Sequence, residues 1–263
     1  MFTQTFQLTR HPFEEVTPIE HILHDERFRK ALERLAYFRE HGSIAMVTGS
    51  TGVGKSTLLE SFLQTLSPHR HRPARVCACS VGPIALLRML VAALGEKPAL
   101  GKDRLFRQIH QKTSHPDQST LLILDEAHLL GEATLTELRL LIAHPKPQPG
   151  ALKILLCGQP PLGRLLARAS LEDLAGRISV RAHLSPLTRE QSVCYIDHRL
   201  KQAAAPTGLF EPQAKHLLHE HAAGNCRAIN LIATTCLIHA ASSNIKRITP
   251  DIVSQAAAEA GRC

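Results

Sequence analysis

The segment Gly49-Ser-Thr-Gly-Val-Gly-Lys55-Ser56 constrains this chain more than any other feature. It follows an apolar stretch, Ser43 to Thr48, and helix signal resumes at Lys55 and continues to about Leu66. Glycines let a loop curl until successive backbone N–H groups point inward, which makes a cradle for phosphate oxygens. Gly49, Ser50, Thr51, Gly52, Val53 and Gly54 would form that cradle, with Lys55 reaching the β and γ phosphates. Ser56 offers a hydroxyl to Mg²⁺, Thr57 stands beside it, and the helix that starts there presents its positive end. An apolar strand on one side and a helix on the other is the context such a loop requires.

The remaining elements alternate. Phe28, Leu32, Leu35 and Phe38 recur at three- and four-residue steps and predict an amphipathic helix over 25–38. A basic turn over 68–75 precedes a strand near Val76 to Cys79, and helices are expected around 84–94 and 103–112. Leu121 to Leu124 is continuously apolar, as in a central parallel strand covered on both faces. A helix over 133–142, a loop rich in proline (Pro145, Pro147, Pro149), a strand from Leu152 to Cys157 and a short strand from Ile178 to His183 follow. The expectation is an α/β fold of the P-loop NTPase type, a three-layer parallel sheet over 25–186.

After Pro186 only helices are expected. Thr188 and Gln191 make a capping box that opens a helix through Leu200. Pro212 sits at a helix start, with Ala214, Leu217, Leu218 and His221 along one face. A helix from about Arg227 to Ala240 comes next, and Thr249-Pro250-Asp251 begins the last, with Thr as its cap. Residues 187–263 therefore read as a small all-helical lid domain. Residues 1–24 read as an N-terminal segment whose stretch from Phe6 to Phe13 is too short and turn-rich for a core element.

Asp125 and Glu126 stand at the carboxyl end of the most apolar strand, where ligands sit in open α/β sheets. Asp125 is the candidate to hold Mg²⁺, and Glu126 has the placement of a base that polarises a water for attack on the γ-phosphate. A helix cap is the plain alternative for the pair. A Glu beside the strand-end Asp, with a separate helical lid, favours ATP hydrolysis over phosphate transfer to a small molecule. Charge concentrates on the γ-phosphate during such a reaction, so further polar groups must reach it. Gln159, just past the fourth strand, is a candidate to orient the water. Arg177, before the fifth, is placed to project toward a nucleotide on a neighbouring subunit, and Arg227, opening a lid helix, to contact phosphate in its own. Turn capping for Gln159 and ordinary surface roles for Arg177 and Arg227 are the alternatives.

The formal charge of +8 attracts phosphate polymers and anionic surfaces. Residues 187–263 carry eight Lys and Arg against six Asp and Glu, so most of the excess lies before them, densest over 70–75. A solvated turn is the alternative to polyanion contact there. The seven cysteines, Cys263 among them, are scattered without the CxxC spacing of a zinc site and read as free thiols. Sixteen histidines form no ligand set. Neither a signal peptide nor the roughly 20 apolar residues of a membrane span is present, so a cytoplasmic protein without membrane insertion is expected.

These motifs resemble the ExeA-like group of AAA+ ATPases, which is related to the transposition regulators TniB and TnsC and to the ATPase part of general secretion pathway protein A. The resemblance runs from Phe6-x-Leu-Thr-x-x-Pro12-Phe13 through Gly49 to Ser56, Leu121 to His128 and Gly158-Gln-Pro-Pro-Leu162 to Leu174-Ala-Gly-Arg-Ile178 and Gly224-Asn-Cys-Arg-Ala-Ile-Asn230. It implies that Gln159 belongs to the first sensor, Arg177 to the arginine finger and Arg227 to the second sensor. Pro161, Gly176 and Cys226 depart from the group's usual Glu, Gln and Pro, which predicts altered local geometry without loss of a catalytic group. The chain ends after the lid, where secretion relatives continue into membrane and envelope-binding regions. With the basic charge, that leans toward a DNA-binding transposition ATPase: a self-oligomer, ring or filament, on duplex DNA that recruits or activates a transposase or target-selection protein. The alternatives are an ATPase of a secretion or pilus system acting on protein partners, and a nucleotide-dependent switch with negligible turnover.

Overall fold

A computed structural model describes residues 2–142 and 152–261. Its elements run α1 (Phe2–Thr5), α2 (Glu26–His41), β1 (Ile44–Gly49), α3 (Lys55–Gln64), β2 (His71–Cys77), α4 (Pro83–Ala93), α5 (Lys102–Thr113), β3 (Ser119–Asp125) and α6 (Glu132–Leu141). They continue with β4 (Lys153–Gly158), α7 (Pro161–Leu166), α8 (Glu172–Gly176), β5 (Ile178–Leu184), α9 (Arg189–Gln202), α10 (Pro212–Ala222), α11 (Cys226–Ser242) and α12 (Pro250–Ala260). The prolines at 145, 147 and 149 and Cys263 lie outside the described residues. The chain divides into two compact units, Arg27–Ser50 with Lys55–Leu184, and Met1–Glu26 with Thr51–Gly54 and Ser185–Cys263.

The first unit is built on a sheet whose strands lie in the order β2-β3-β4-β1-β5, every neighbouring pair parallel. Parallel strands need crossover connections, and helices in those crossovers cover both faces. Coverage explains why β1 and β4 are buried along their whole length, whereas the edge strand β5 alternates buried Ile178, Val180 and Ala182 with exposed Ser179, Arg181 and His183. Leu122, Leu124, Ile154, Leu156, Leu86, Leu90, Leu105 and Leu135 belong to one continuous apolar cluster. Each fully buried Leu or Ile there contributes roughly 1.5–3 kcal/mol over exposure. This is the P-loop, AAA+ type of α/β fold.

One boundary departs from the sequence reading in a way that matters below. Only residues 68–70 of the basic run form a turn: β2 begins at His71, so Arg72 and Arg75 are strand residues. Alternating exposed and buried positions along β2 hid it, because only its last residues are apolar enough to signal a strand alone.

The second unit packs α9–α12 around Ile196, Leu218, Ile229, Ile232, Leu237 and Val253. Phe6, Leu8 and Phe13 are buried in the same cluster, so the N-terminal stretch adds aromatic bulk beside Phe210. Arg199 fixes it there, donating to the carbonyls of Pro12 and Glu14 at 2.6 Å each and to the hydroxyl of Thr17. The capping box of α9 is present in both directions, with Gln191 N donating to Thr188 Oγ1 and Thr188 N to Gln191 Oε1. Thr249 is the N-cap residue of α12, as expected, but makes no side-chain cap bond. One local expectation fails: α10 buries Ala214, Leu218 and Ala222 while His221 is exposed.

Candidate functional site

In the sheet unit, the order β3-β4-β1 brings the carboxyl ends of three adjacent strands together. Gly49 and Ser50 therefore stand at one side, Gln159 after β4 in the middle, and Asp125 with Glu126 at the other. Lys55 begins α3. It is only 7% exposed, and its Nζ donates to the carbonyls of Gly49 and Ser50, at 2.9 Å each. Ser56 is exposed and Thr57 half-buried in the same helical turn. Gly54 holds φ +103°, a conformation that side chains avoid, and a Cβ built there meets nothing. At Gly54 the loop thus presents bare backbone to open space.

Asp125 is buried and both its oxygens are engaged. Oδ1 accepts from the backbone N–H of Glu126 at 3.0 Å, and Oδ2 accepts from Arg75 Nη2 at 2.5 Å. Arg75 Nη1 reaches Glu60 Oε1 of α3 at 2.6 Å. Desolvation opposes the Arg75 cation, but the hydrogen bond and charge of Asp125, and then Glu60, outweigh it and hold its pKa above the ordinary value. Cys157 lies against the same carboxylate. Burial first, and then the Asp125 charge, push its thiol far above the usual range, so it stays protonated.

Glu126 is a non-glycine residue in the left-handed region, φ 54° and ψ 32°. A strained backbone of this kind turns the side chain away from the path of the strand. Its Oε2 is screened from solvent 3.2 Å from His128 Nδ1, without hydrogen-bond geometry among the described residues. The same Nδ1 takes the backbone N–H of Gln159 at 3.4 Å. His128 therefore stands between the candidate base and the candidate water-orienting residue.

Arg177 is not brought to this group. It precedes β5, whose first residue, Ile178, pairs with Ile44 at the amino end of β1. Six residues of strand put it roughly 20 Å from the carboxyl ends. It is exposed, and its Nη1 lies 3.4 Å from the carbonyl of Ile142.

In the helical unit, the loop tip Thr51–Gly54 meets the start of α11. Asn225 caps α11 by accepting from the N–H groups of Arg227 and Ala228, and its Nδ2 donates to Thr51 O at 2.6 Å. Arg227 N also donates to Gly52 O at 3.2 Å, and the Arg227 side chain is exposed. Gly52, at φ +82°, has no room for a Cβ beside Asn225. Asn225→Ala removes a cap and a tether together. It should lower unfolding free energy by about 1–2 kcal/mol in a denaturant titration; a change under a few tenths would dismiss the tether.

The basic run is largely committed within the unit, since Arg72 donates to Leu94 O at 2.8 Å and Arg75 to Glu60 and Asp125. His69 and Arg70 remain exposed. Among the described residues, no group of three or more His, Cys, Asp or Glu is placed to hold a metal ion, and no helix is long and apolar enough to cross a membrane. Sequence reasoning missed Arg75, His128 and Asn225. Asn before a helix is a cap signal that was there to read; Arg75 needed the β2–β3 register, in which Cys77 faces Asp125.

The family described as AAA domain matches residues 39–166. General secretion pathway protein A of Aeromonas hydrophila is 30% identical over 269 residues, covering 98% of this chain and 48% of that protein. The chain thus spans about half the length of the curated relative that it matches. Among solved structures, Drosophila ORC bound to DNA shares the fold at TM-score 0.73 and 17% identity, over 98% of this chain and 65% of that one. A Walker-type ATPase of Pyrococcus abyssi does so at TM-score 0.67 and 16% identity, over 95% and 76%. Residues 39–166 are thus similar to the AAA domain family, and the chain shares the P-loop, AAA+ type of fold with these solved structures.

Proposed function

We propose that this protein is a cytoplasmic ATPase that works as a self-oligomer and acts on protein partners of a secretion or pilus assembly system. The observation that carries this reading is the 30% identity to general secretion pathway protein A over 98% of the chain. The candidate site suits Mg²⁺ and ATP: a hydroxyl and a carboxylate are hard oxygen ligands, and the loop faces open space at Gly54. Lys55 and the loop N–H groups would bind the β and γ phosphates, and Ser56 and Asp125 would hold Mg²⁺. Bound Mg²⁺ supplies charge neutralisation for the phosphoryl oxygens.

Glu126 would draw a proton from the attacking water, and Gln159 would orient that water. Arg227, bonded through its backbone to Gly52 O, is assigned to phosphate sensing. Arg177, at the far ends of the strands, is assigned to a neighbouring copy's nucleotide, which makes turnover depend on assembly. On this assignment residues 25–186 are the nucleotide-binding domain and 187–263 its lid.

A second reading, a regulator of transposition on duplex DNA that recruits a transposase or target-selection protein, is favoured by the +8 charge and by the fold shared with DNA-bound ORC. The internal engagement of Arg72 and Arg75 weighs against it, because phosphate-backbone binding needs accessible cations. Duplex binding measured with ATP, ADP and no nucleotide, at low and moderate salt, separates the two while assembly size is followed in the same samples. The first reading expects ATP-dependent assembly without DNA and weak duplex binding at moderate salt. ATP-dependent, salt-sensitive duplex binding with growth into larger oligomers would replace it with the second.

A further inference from the structure

We propose that Arg75 is a resident counter-ion for the metal carboxylate: it occupies Asp125 when no divalent cation is bound and yields to one, and so sets the Mg²⁺ concentration at which the site loads. The inference rests on the reading of Asp125 as a Mg²⁺ ligand. Of the two carboxylate oxygens, Oδ1 accepts the Glu126 N–H, and Arg75 Nη2 stands on Oδ2 at 2.5 Å, where an incoming cation would compete with it. The Asp125 side chain is 12% exposed, so its charge is costly without a partner, and Arg75 provides one.

The arrangement also gives Arg75 somewhere to go. Its side chain is 37% exposed, and its other terminal nitrogen holds Glu60 Oε1 at 2.6 Å. Glu60 lies on α3, the helix that Lys55 begins, and is 51% exposed. Arg75 can therefore release Asp125 and keep an ion pair, which a single-partner arginine cannot. Arg72, three residues earlier on the same strand, is bound instead to a backbone carbonyl and has no such exchange. The prediction is a competition between two cations for one oxygen, with Glu60 pulling Arg75 toward release.

The test is the Mg²⁺ dependence of binding of a fluorescent ATP analogue, read by anisotropy on the full chain, with melting temperature in EDTA alongside. Arg75→Gln should lower the half-saturating Mg²⁺ about three- to tenfold and lower the melting temperature in EDTA. Glu60→Gln should move it the other way, about two- to fivefold higher, because Arg75 is then left to Asp125 alone. A half-saturation that is unchanged or raised in folded Arg75→Gln overturns the proposal. Where that variant fails to fold, a half-saturation unchanged or lowered in Glu60→Gln overturns it equally. Wild-type protein that binds the analogue at no Mg²⁺ concentration overturns the nucleotide reading, and this inference with it. Ordinary nucleotide binding with unmoved Mg²⁺ dependence in both variants removes only the role of Arg75.

Discussion

Lys55→Ala should weaken ATP binding by roughly two orders of magnitude or more, corresponding to about 3 kcal/mol of charge-assisted hydrogen bonding to phosphate. The structure makes this more than a motif argument. The ammonium is buried, and it spends its hydrogen bonds on Gly49 O and Ser50 O, holding the loop's own carbonyls inward beside the place where phosphates would come. A cation so placed can exchange carbonyl partners for phosphate oxygens without being newly desolvated, since the cost of burying it is met when the chain folds. Removing it takes away the ligand contact and leaves two carbonyls of a tight loop without a donor. The variant's melting temperature without nucleotide must therefore be measured beside its affinity. A folded Lys55→Ala protein that binds ATP within threefold of wild type, by calorimetry, would remove the phosphate loop from the proposed mechanism.

The sheet was readable because apolar runs end in chemistry-bearing residues. Ser43 to Thr48 leads into the glycine loop and Leu121 to Leu124 into Asp125, and continuous burial on both faces makes such strands visible one at a time. β2 was not readable on the same grounds. It lies at the sheet edge and alternates Ala74 and Val76 inward with Pro73, Arg75 and Cys77 outward, so charge masked half of its pattern. The misreading bears on function: a basic turn is a surface for polyanions, while an edge strand in register with β3 sets Arg75 against Asp125 of the candidate site.

The lid shows the opposite limit. Helix periodicity located α9, α10, α11 and α12 to within a few residues, because caps and prolines punctuate them. What no local pattern revealed is that Phe6, Leu8 and Phe13, more than 170 residues away in the chain, complete their core. Burial across such a separation leaves no periodic trace. The same holds for His128, whose place between Glu126 and Gln159 depends on β4 lying beside β3.

Glu126→Gln should separate binding from turnover, with ATP affinity within a few-fold of wild type and hydrolysis slowed by about 10²–10⁴, the range expected when a positioned general base is lost. The substitution is isosteric, and the left-handed backbone at φ 54° is no harder for Gln than for Glu, so fold and loop geometry stay as they are. The neighbouring Asp125 is untouched and keeps its bonds to the Glu126 N–H and to Arg75, so metal binding is preserved. Only proton affinity at one carboxylate oxygen is lost. That oxygen makes no hydrogen bond among the described residues, and His128 Nδ1, 3.2 Å away, already accepts the Gln159 N–H, so the amide gains no new acceptor there and thermal stability should stay near the wild-type value. Blocked turnover should also trap the ATP-bound assembly, which size measurements at equal ATP would report as longer-lived oligomers. Single-turnover hydrolysis within tenfold of wild type would instead assign the proton to another acceptor, and His128, bridging Glu126 and Gln159, is the residue to which that result would point.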